Sequence, residues 1–395
     1  MSATQKTARY EGLEGLRALM AIWVVFGHVG NFLGFYLGVN APAWMKLVLL
    51  TSVPVNVFIA LSGFVVFEMI RRRPVNYPQY IRSRAARIFP IYFFALVLAL
   101  LLNEFRLEVL QSQPWRSLAE LAFISQRASD VRVDYAAHVA AHALMIHGLV
   151  PEALLPHAAQ ALLAPAWSLS LEWQFYLLAP AIYAGVTRQW WGVFGVAAVF
   201  AGTQILGQHL LPSLTNAAII NSWGYFFVGW ACSRFLAAIS DGKDLYKSLS
   251  WMIFLVALGA VSTLFGASDA RATVFSLCIW MAAFWAACCP AVRIAAWRSL
   301  QVKINGFLSV GWLRRIGDSS YSLYLLHVFV LDAIGWLLIR QGYLNMGVVG
   351  NYLLLLGLVL PLSVLAAMIG YKCIERPFMA LGRARATVGS RWKMM

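Results

Sequence analysis

Ten apolar runs divide the chain, at roughly 13–33, 47–70, 88–103, 167–186, 192–210, 218–238, 249–267, 271–292, 317–339 and 348–373. About 20 apolar residues, rising about 1.5 Å each, cross the hydrocarbon of a bilayer. The pattern therefore predicts an all-α fold, a polytopic membrane bundle of about ten transmembrane helices. Glu14, Arg17 and His28 interrupt the first run. At about 100° per residue Arg17 and His28 fall only about 20° apart, with Glu14 on the same side, so one stripe is polar over about 16 Å of depth. Such groups are costly in lipid and turn toward protein or a water-filled cavity. A buried Arg–Glu pair beside a hydrogen-bonded core histidine accounts for the stripe structurally, and a functional site accounts for it equally well.

Composition agrees with the pattern. Hydrophobic residues make up 61% of the 395 positions and charged residues 12%, which excludes an ordinary soluble domain. Sixteen Trp and fifteen Tyr suit interfacial belts. A net charge of +15 points to nucleic acid in a soluble protein. Here the basic residues lie between apolar runs, so no nucleic-acid partner is expected, only membrane lipids.

With the N-terminus inside, the first cytoplasmic connection holds Arg71, Arg72, Arg73, Arg82, Arg84 and Arg87, and later inner stretches hold most of the remaining basic residues. That asymmetry puts both termini in the cytoplasm. The stretch 104–166 has balanced charge and a short apolar piece at 135–150, so it is expected outside or as a re-entrant hairpin. Its His138 and His142 stand four apart on one helix face, yet no companion ligand pattern supports a metal site. The five cysteines lack CxxC spacing and are expected as small core residues. The first run holds internal charges and precedes no small-x-small cleavage site, so it is expected as an uncleaved anchor. Residues 1–375 then form one membrane domain and 376–395 a basic cytoplasmic tail.

Four further groups carry candidate chemistry. The second run contains Asn56-Val-Phe-Ile-Ala-Leu-Ser62-Gly63-Phe64, where small residues often only permit close helix packing. Arg84 and Arg87 share a face beside the start of the third run. Guanidinium forks there suit polyphosphate, although the charge bias of cytoplasmic loops also places arginines at this position. In Pro165-Ala-Trp167-Ser168-Leu-Ser170-Leu-Glu172-Trp-Gln-Phe175-Tyr176, the residues Ser168, Glu172 and Tyr176 fall on one face. Glu172 lies at about the depth of His28, and a pair between them would orient the imidazole and raise its basicity. Gly317-Asp318-Ser-Ser-Tyr321-Ser-Leu-Tyr324-Leu-Leu-His327 offers Asp318 as an N-cap, with Ser320, Tyr324 and His327 on one stripe. A satisfied core histidine is the plain alternative for His327.

Together these strings resemble one family. Arg17-x10-His28, Leu61-Ser62-Gly63-Phe64, Arg84-x-x-Arg87, Trp167-Ser-Leu-Ser-x-Glu172-x-x-Phe175-Tyr176, Tyr321-Ser-Leu-Tyr-Leu-Leu-His327 and Glu375-Arg376-Pro377 follow the order of the acyltransferase 3 family of integral membrane O-acyltransferases. The resemblance covers nearly the whole chain. It implies acyl transfer, most often of acetyl, from cytoplasmic acyl-CoA as donor substrate to a carbohydrate or glycolipid acceptor, with no permanently bound cofactor, in a bacterial inner membrane. Many members carry an added extracytoplasmic hydrolase-like domain, and this sequence is expected to lack it.

On that reading Arg71, Arg72, Arg73, Arg84 and Arg87 hold the nucleotide end of the donor, with Ser62 and Gly63 beside its path. Arg17 lies further along the path, His28 acts as base or transient acyl carrier, and Glu172 orients His28. Glu14, Trp167, Ser168, Ser170, Tyr176, Tyr324 and His327 complete the site. The rival class is a carrier or flippase-like protein whose polar stripe lines a passage; the sequence shows neither the two-fold repeat nor the broken-helix pairs common in transporters.

Overall fold

The computed structural model describes residues 10–34, 43–72, 76–188, 191–210, 214–215, 217–266, 269–290 and 294–382. Among them every regular element is helical. The amino-terminal part comprises α1 (Glu11–Phe32), the short α2 (Ala43–Val48), α3 (Ser52–Arg72) and α4 (Tyr77–Leu101). Three shorter helices follow, α5 (Asn103–Gln111), α6 (Leu118–Val133) and α7 (Tyr135–Ala143). Then come α8 (Trp167–Arg188), α9 (Gly192–Leu210), α10 (Ile219–Ser240), α11 (Leu245–Gly266) and α12 (Ala270–Cys288). The chain closes with α13 (Ala295–Leu308), α14 (Gly311–Asp318), α15 (Ser320–Arg340) and α16 (Gly347–Gly370).

Each of the ten apolar runs falls on a helix of 19 to 25 residues. Seven of the described helices are long and apolar enough to cross a membrane, so the protein is a multi-pass membrane protein: α1, α3, α4, α11, α12, α15 and α16. The last of these continues through a π turn at Tyr371–Glu375 to Gly382, so the beginning of the expected tail is helical. Among the three that fall short, α8 carries Ser168, Ser170, Glu172 and Gln174 in its first turns.

Contacts between helix termini define two ends of the bundle. At one end Glu11 of α1 pairs with Arg314 of α14 at 2.6 Å, and Arg72 of α3 donates to the Tyr10 hydroxyl at 2.8 Å. The start of α4 lies at this same end, since only 73–76 separate it from α3. At the other end Trp115 donates its indole N–H to the Phe32 carbonyl at 2.8 Å, and Glu108 of α5 accepts from Arg340 of α15 at 2.6 Å. The 103–166 segment therefore caps the end opposite the Arg71–Arg72 pair.

Two expectations for local structure are corrected. Arg82, Arg84 and Arg87 do not lie on a loop. They belong to α4, which starts at Tyr77 with Pro78 in its first turn, where a missing N–H leaves no bond unmade. Asp318 does not cap α15; it ends α14, and Ser319 occupies the junction.

The most enclosed of the seven spans is α3, which packs against α1, α8, α10 and α12. Its crossing with α10 relies on Gly63 and Gly229. A Cβ on Gly63 would stand 2.5 Å from the Phe226 carbonyl oxygen, and one on Gly229 would overlap the Ala60–Phe64 backbone. Close approach of this kind is how helices associate where lipid is as apolar as leucine. Within the 103–166 cap, His142 and His147 are fully buried with rings stacked 4.1 Å apart. Their Nδ1 and Nε2 donate to the carbonyls of His138 and Ala166 at 2.9 and 3.1 Å. Burial lowers His142 to about 3 and His147 to about 4, so both stay neutral.

Candidate active site

His28 sits on α1 and His327 on α15, far apart in sequence, yet His28 Nδ1 lies 2.6 Å from His327 Nε2. The rings are within 16° of parallel, with centroids 4.8 Å apart. His327 is fully buried, and its Nδ1 lies 3.1 Å from the Leu323 carbonyl oxygen. A carbonyl only accepts, so in the neutral pair His327 carries its proton on Nδ1 and presents Nε2 as acceptor. His28 must then donate from Nδ1. The lone pair on His28 Nε2 is left to the adjoining chamber, as a general base requires.

That outer chamber has a volume of about 660 Å³ and is lined by His28, Thr51, Asn56, Arg127, Glu152, His157, Trp167, Asn221, Tyr225, Asp269, Thr273 and Tyr324 among others. Hydroxyls, amides and both signs of charge alternate with aromatic rings around it, a lining that matches a polyhydroxylated molecule. A second, inner cavity of about 60 Å³ is lined by Arg17, Ser62, Arg87, Ser168, Glu172, Tyr321 and Tyr324 with apolar neighbours. The two abut at Val55 and Tyr324, which line both. The Ser168 and Tyr324 hydroxyls are bonded to each other at 2.9 Å, with the Pro165 carbonyl 3.4 Å from Ser168 Oγ, which places the Tyr324 hydroxyl at the junction.

Glu172 does not pair with His28, as the sequence led us to expect. Its Oε1 accepts from Ser62 Oγ at 2.7 Å and from the Tyr176 hydroxyl. The Arg84 guanidinium stacks over the Tyr176 ring at 5.6 Å. Helix depth alone placed His28 and Glu172 level, but α1 turns His28 toward α15 while α8 turns Glu172 toward α3. Arg17 lies 3.8 Å from Glu14 and faces the inner cavity together with Arg87.

The remaining candidates separate. Arg71 and Arg72 both bind the buried Glu68 carboxylate, at 2.7 Å each, and Ser233 donates to it at 2.8 Å. Arg73 lies outside the described residues. Gly63 serves the α3–α10 crossing. Ser170 is buried away from both cavities, donating to the Met145 carbonyl at 2.9 Å and accepting from the Gly148 N–H at 3.1 Å. Two residues that the sequence offered only within longer strings are drawn inward: Tyr321 lines the inner cavity, and the buried Glu375 accepts from Ser322. Tyr321 was legible as the first residue of its Tyr-x-x-Tyr string, whereas the inward turn of Glu375 depends on the π turn that carries it.

Comparison with known proteins agrees with this architecture. The chain matches the acyltransferase domain family over residues 10–369, and it belongs to that family. It is similar to acyltransferase MdmB of Streptomyces mycarofaciens, at 28% identity over 198 residues that cover 49% of this chain and 45% of that protein. It is also similar to the exopolysaccharide production protein ExoZ of Rhizobium meliloti (strain 1021), at 25% identity over 359 residues, 84% of this chain and 90% of the relative. No solved structure matches the chain significantly.

Proposed function

We propose that this multi-pass acyltransferase resides in a bacterial inner membrane with both termini cytoplasmic. It moves an acyl group, acetyl foremost, from acyl-CoA to a hydroxyl of a surface carbohydrate such as lipopolysaccharide, exopolysaccharide or a related glycolipid. The observation that carries the reading is the Leu323–His327–His28 relay, which leaves one unprotonated imidazole nitrogen at the wall of a polar chamber. The name of ExoZ supports a polysaccharide acceptor. Membership of an acyltransferase family supports transfer over carriage.

In this reaction His28 Nε2 takes the proton of the acceptor hydroxyl as its oxygen attacks the thioester carbon. The tetrahedral oxyanion accepts a hydrogen bond from the Tyr324 hydroxyl at the junction of the cavities, a fixed donor in a water-poor site. The C–S bond then breaks, and the proton on His28 passes to the departing CoA thiolate. Arg17 and Arg87 line the donor's approach. Arg84 and the Arg71–Arg72 pair stand further toward the inner end, where the nucleotide phosphates arrive. Glu172 acts at a distance from the reacting atoms, holding Ser62 and Tyr176 around the inner cavity.

The test is transfer of labelled acetyl from acetyl-CoA to membrane glycan. His28→Ala, folded as judged by its melting profile, loses roughly 10²- to 10⁴-fold of the rate. Undiminished transfer in that variant would refute the assignment.

A further inference from the structure

A third cavity, of about 540 Å³, lies within the 103–166 cap between α5 and α6. Four arginines, Arg106, Arg116, Arg127 and Arg132, reach its wall, and Glu120 is the one carboxylate among its lining residues. Leu110, Phe123 and Ile124 supply an apolar side. Arg116 is held by Glu120 at 3.1 Å and by Gln113 at 2.7 Å, and Arg127 donates to the Gln160 carbonyl at 2.7 Å. Arg132 bonds Glu104 through one terminal nitrogen at 2.7 Å, and Arg106 only approaches Asp332, at 4.0 Å, so these two keep N–H donors for a further partner. A guanidinium offers five N–H donors in a fork matched to phosphate. Arg106 and Arg132 thus face one half-open space with donors to spare, beside two arginines already bonded.

Two further observations identify the ligand. The cap is greasy where it meets its surroundings: Leu101, Leu118 and Val133 are exposed at 76%, 86% and 79%. They lie at the end of α4 and at the two ends of α6, the level of a leaflet surface for a helix that crosses the bilayer. The cavity is also continuous in its lining with the outer chamber, because Phe123, Arg127 and Gln160 border both. An amphiphile resting its phosphate among the arginines and its chain in the leaflet thus has one direction left for a polar head, past Arg127 toward His28.

We infer that the α5–α6 cavity is a phosphate site for a lipid-phosphate-linked acceptor, which delivers its sugar to His28 from within the outer leaflet. The inference rests on the proposed transfer to carbohydrate and specifies the acceptor's anchor. Farnesyl phosphate and farnesol, which share a chain and differ in the phosphate, are the probes, added to the purified full-length protein in detergent and read by thermal shift and titration. Farnesyl phosphate binds at least about tenfold tighter than farnesol, and its binding weakens as salt rises. The Arg106→Gln/Arg132→Gln double variant loses at least about tenfold of that affinity, since each charge-assisted bond contributes about a factor of ten or more. The Arg106→Lys/Arg132→Lys pair loses less.

Equal binding of farnesol, or undiminished binding by the glutamine variant, overturns the site. Inorganic phosphate binding as tightly as the lipid overturns the lipid-linked source. The acetyl-CoA shift, measured on the same samples, reports folding and the donor site separately. Its failure beside arginine-dependent binding of farnesyl phosphate would strike the donor assignment and leave the phosphate site standing.

Discussion

Replacing His327 by leucine isolates the relay from the base itself. The substitution keeps an apolar side chain of similar bulk on α15 but leaves His28 Nδ1–H without its 2.6 Å acceptor. Polar contacts between membrane helices average roughly 0.6 kcal/mol. Stranding a buried donor raises the loss to about 1–3 kcal/mol. At about 1.4 kcal/mol per factor of ten, kcat falls between about fivefold and about 150-fold. This is less than His28→Ala costs, because the base survives with its tautomer and orientation unfixed. KM for acetyl-CoA stays constant, since His327 lines neither cavity. His327→Gln, whose amide reaches the place of Nε2, restores part of kcat. The assay is single-turnover acetyl transfer in detergent, with melting profiles to confirm equal folding. A leucine variant within twofold of the parent in kcat, or a glutamine variant no better than leucine, would refute the relay.

Other outcomes follow from the same structure. Tyr324→Phe removes the donor at the junction of the cavities, and kcat falls by roughly 10² with little change in donor affinity, measured by titration of acetyl-CoA. Gly63→Leu drives a side chain into the Phe226 backbone and destabilises the α3–α10 crossing by at least about 1–3 kcal/mol, read as lost yield of monodisperse protein. His142 and His147 are lowered in the folded protein, so below the unfolded value near 6.5 the unfolded chain binds more protons and stability drops with falling pH. Between pH 7 and 5.5 the loss is roughly 1 kcal/mol per histidine. The melting temperature falls over that window, and His142→Gln/His147→Gln flattens the slope.

The helices were legible because each had to be apolar over a bilayer's depth, and each apolar run lies on one. Their starts were less so. The basic first half of α4 lowers any average taken across Arg82, Arg84 and Arg87, so the run seemed to begin near 88, and only Pro78 marks the true first turn. Local periodicity was reliable within a helix: Glu172 and Tyr176, four apart on α8, do bond. It failed between helices, because depth follows from counting residues whereas rotation about the axis depends on what packs alongside. His28 therefore met His327 instead of Glu172, and Ser168 met Tyr324. Glu68, inside the 47–70 run, gathers Arg71 and Arg72, a pairing that follows its i, i+3 and i, i+4 spacing.

The waist at Val55 and Tyr324 bears on the membrane's electrical seal. The inner cavity, of about 60 Å³, has room for no more than a few waters. A bore wide enough to admit a pantetheine arm at rest would also let protons and ions run down the membrane potential. On the proposed donor path, a cavity this narrow would stay a plug until the arm itself parted the side chains, and the residues that admit the donor would also guard the cell's stored voltage.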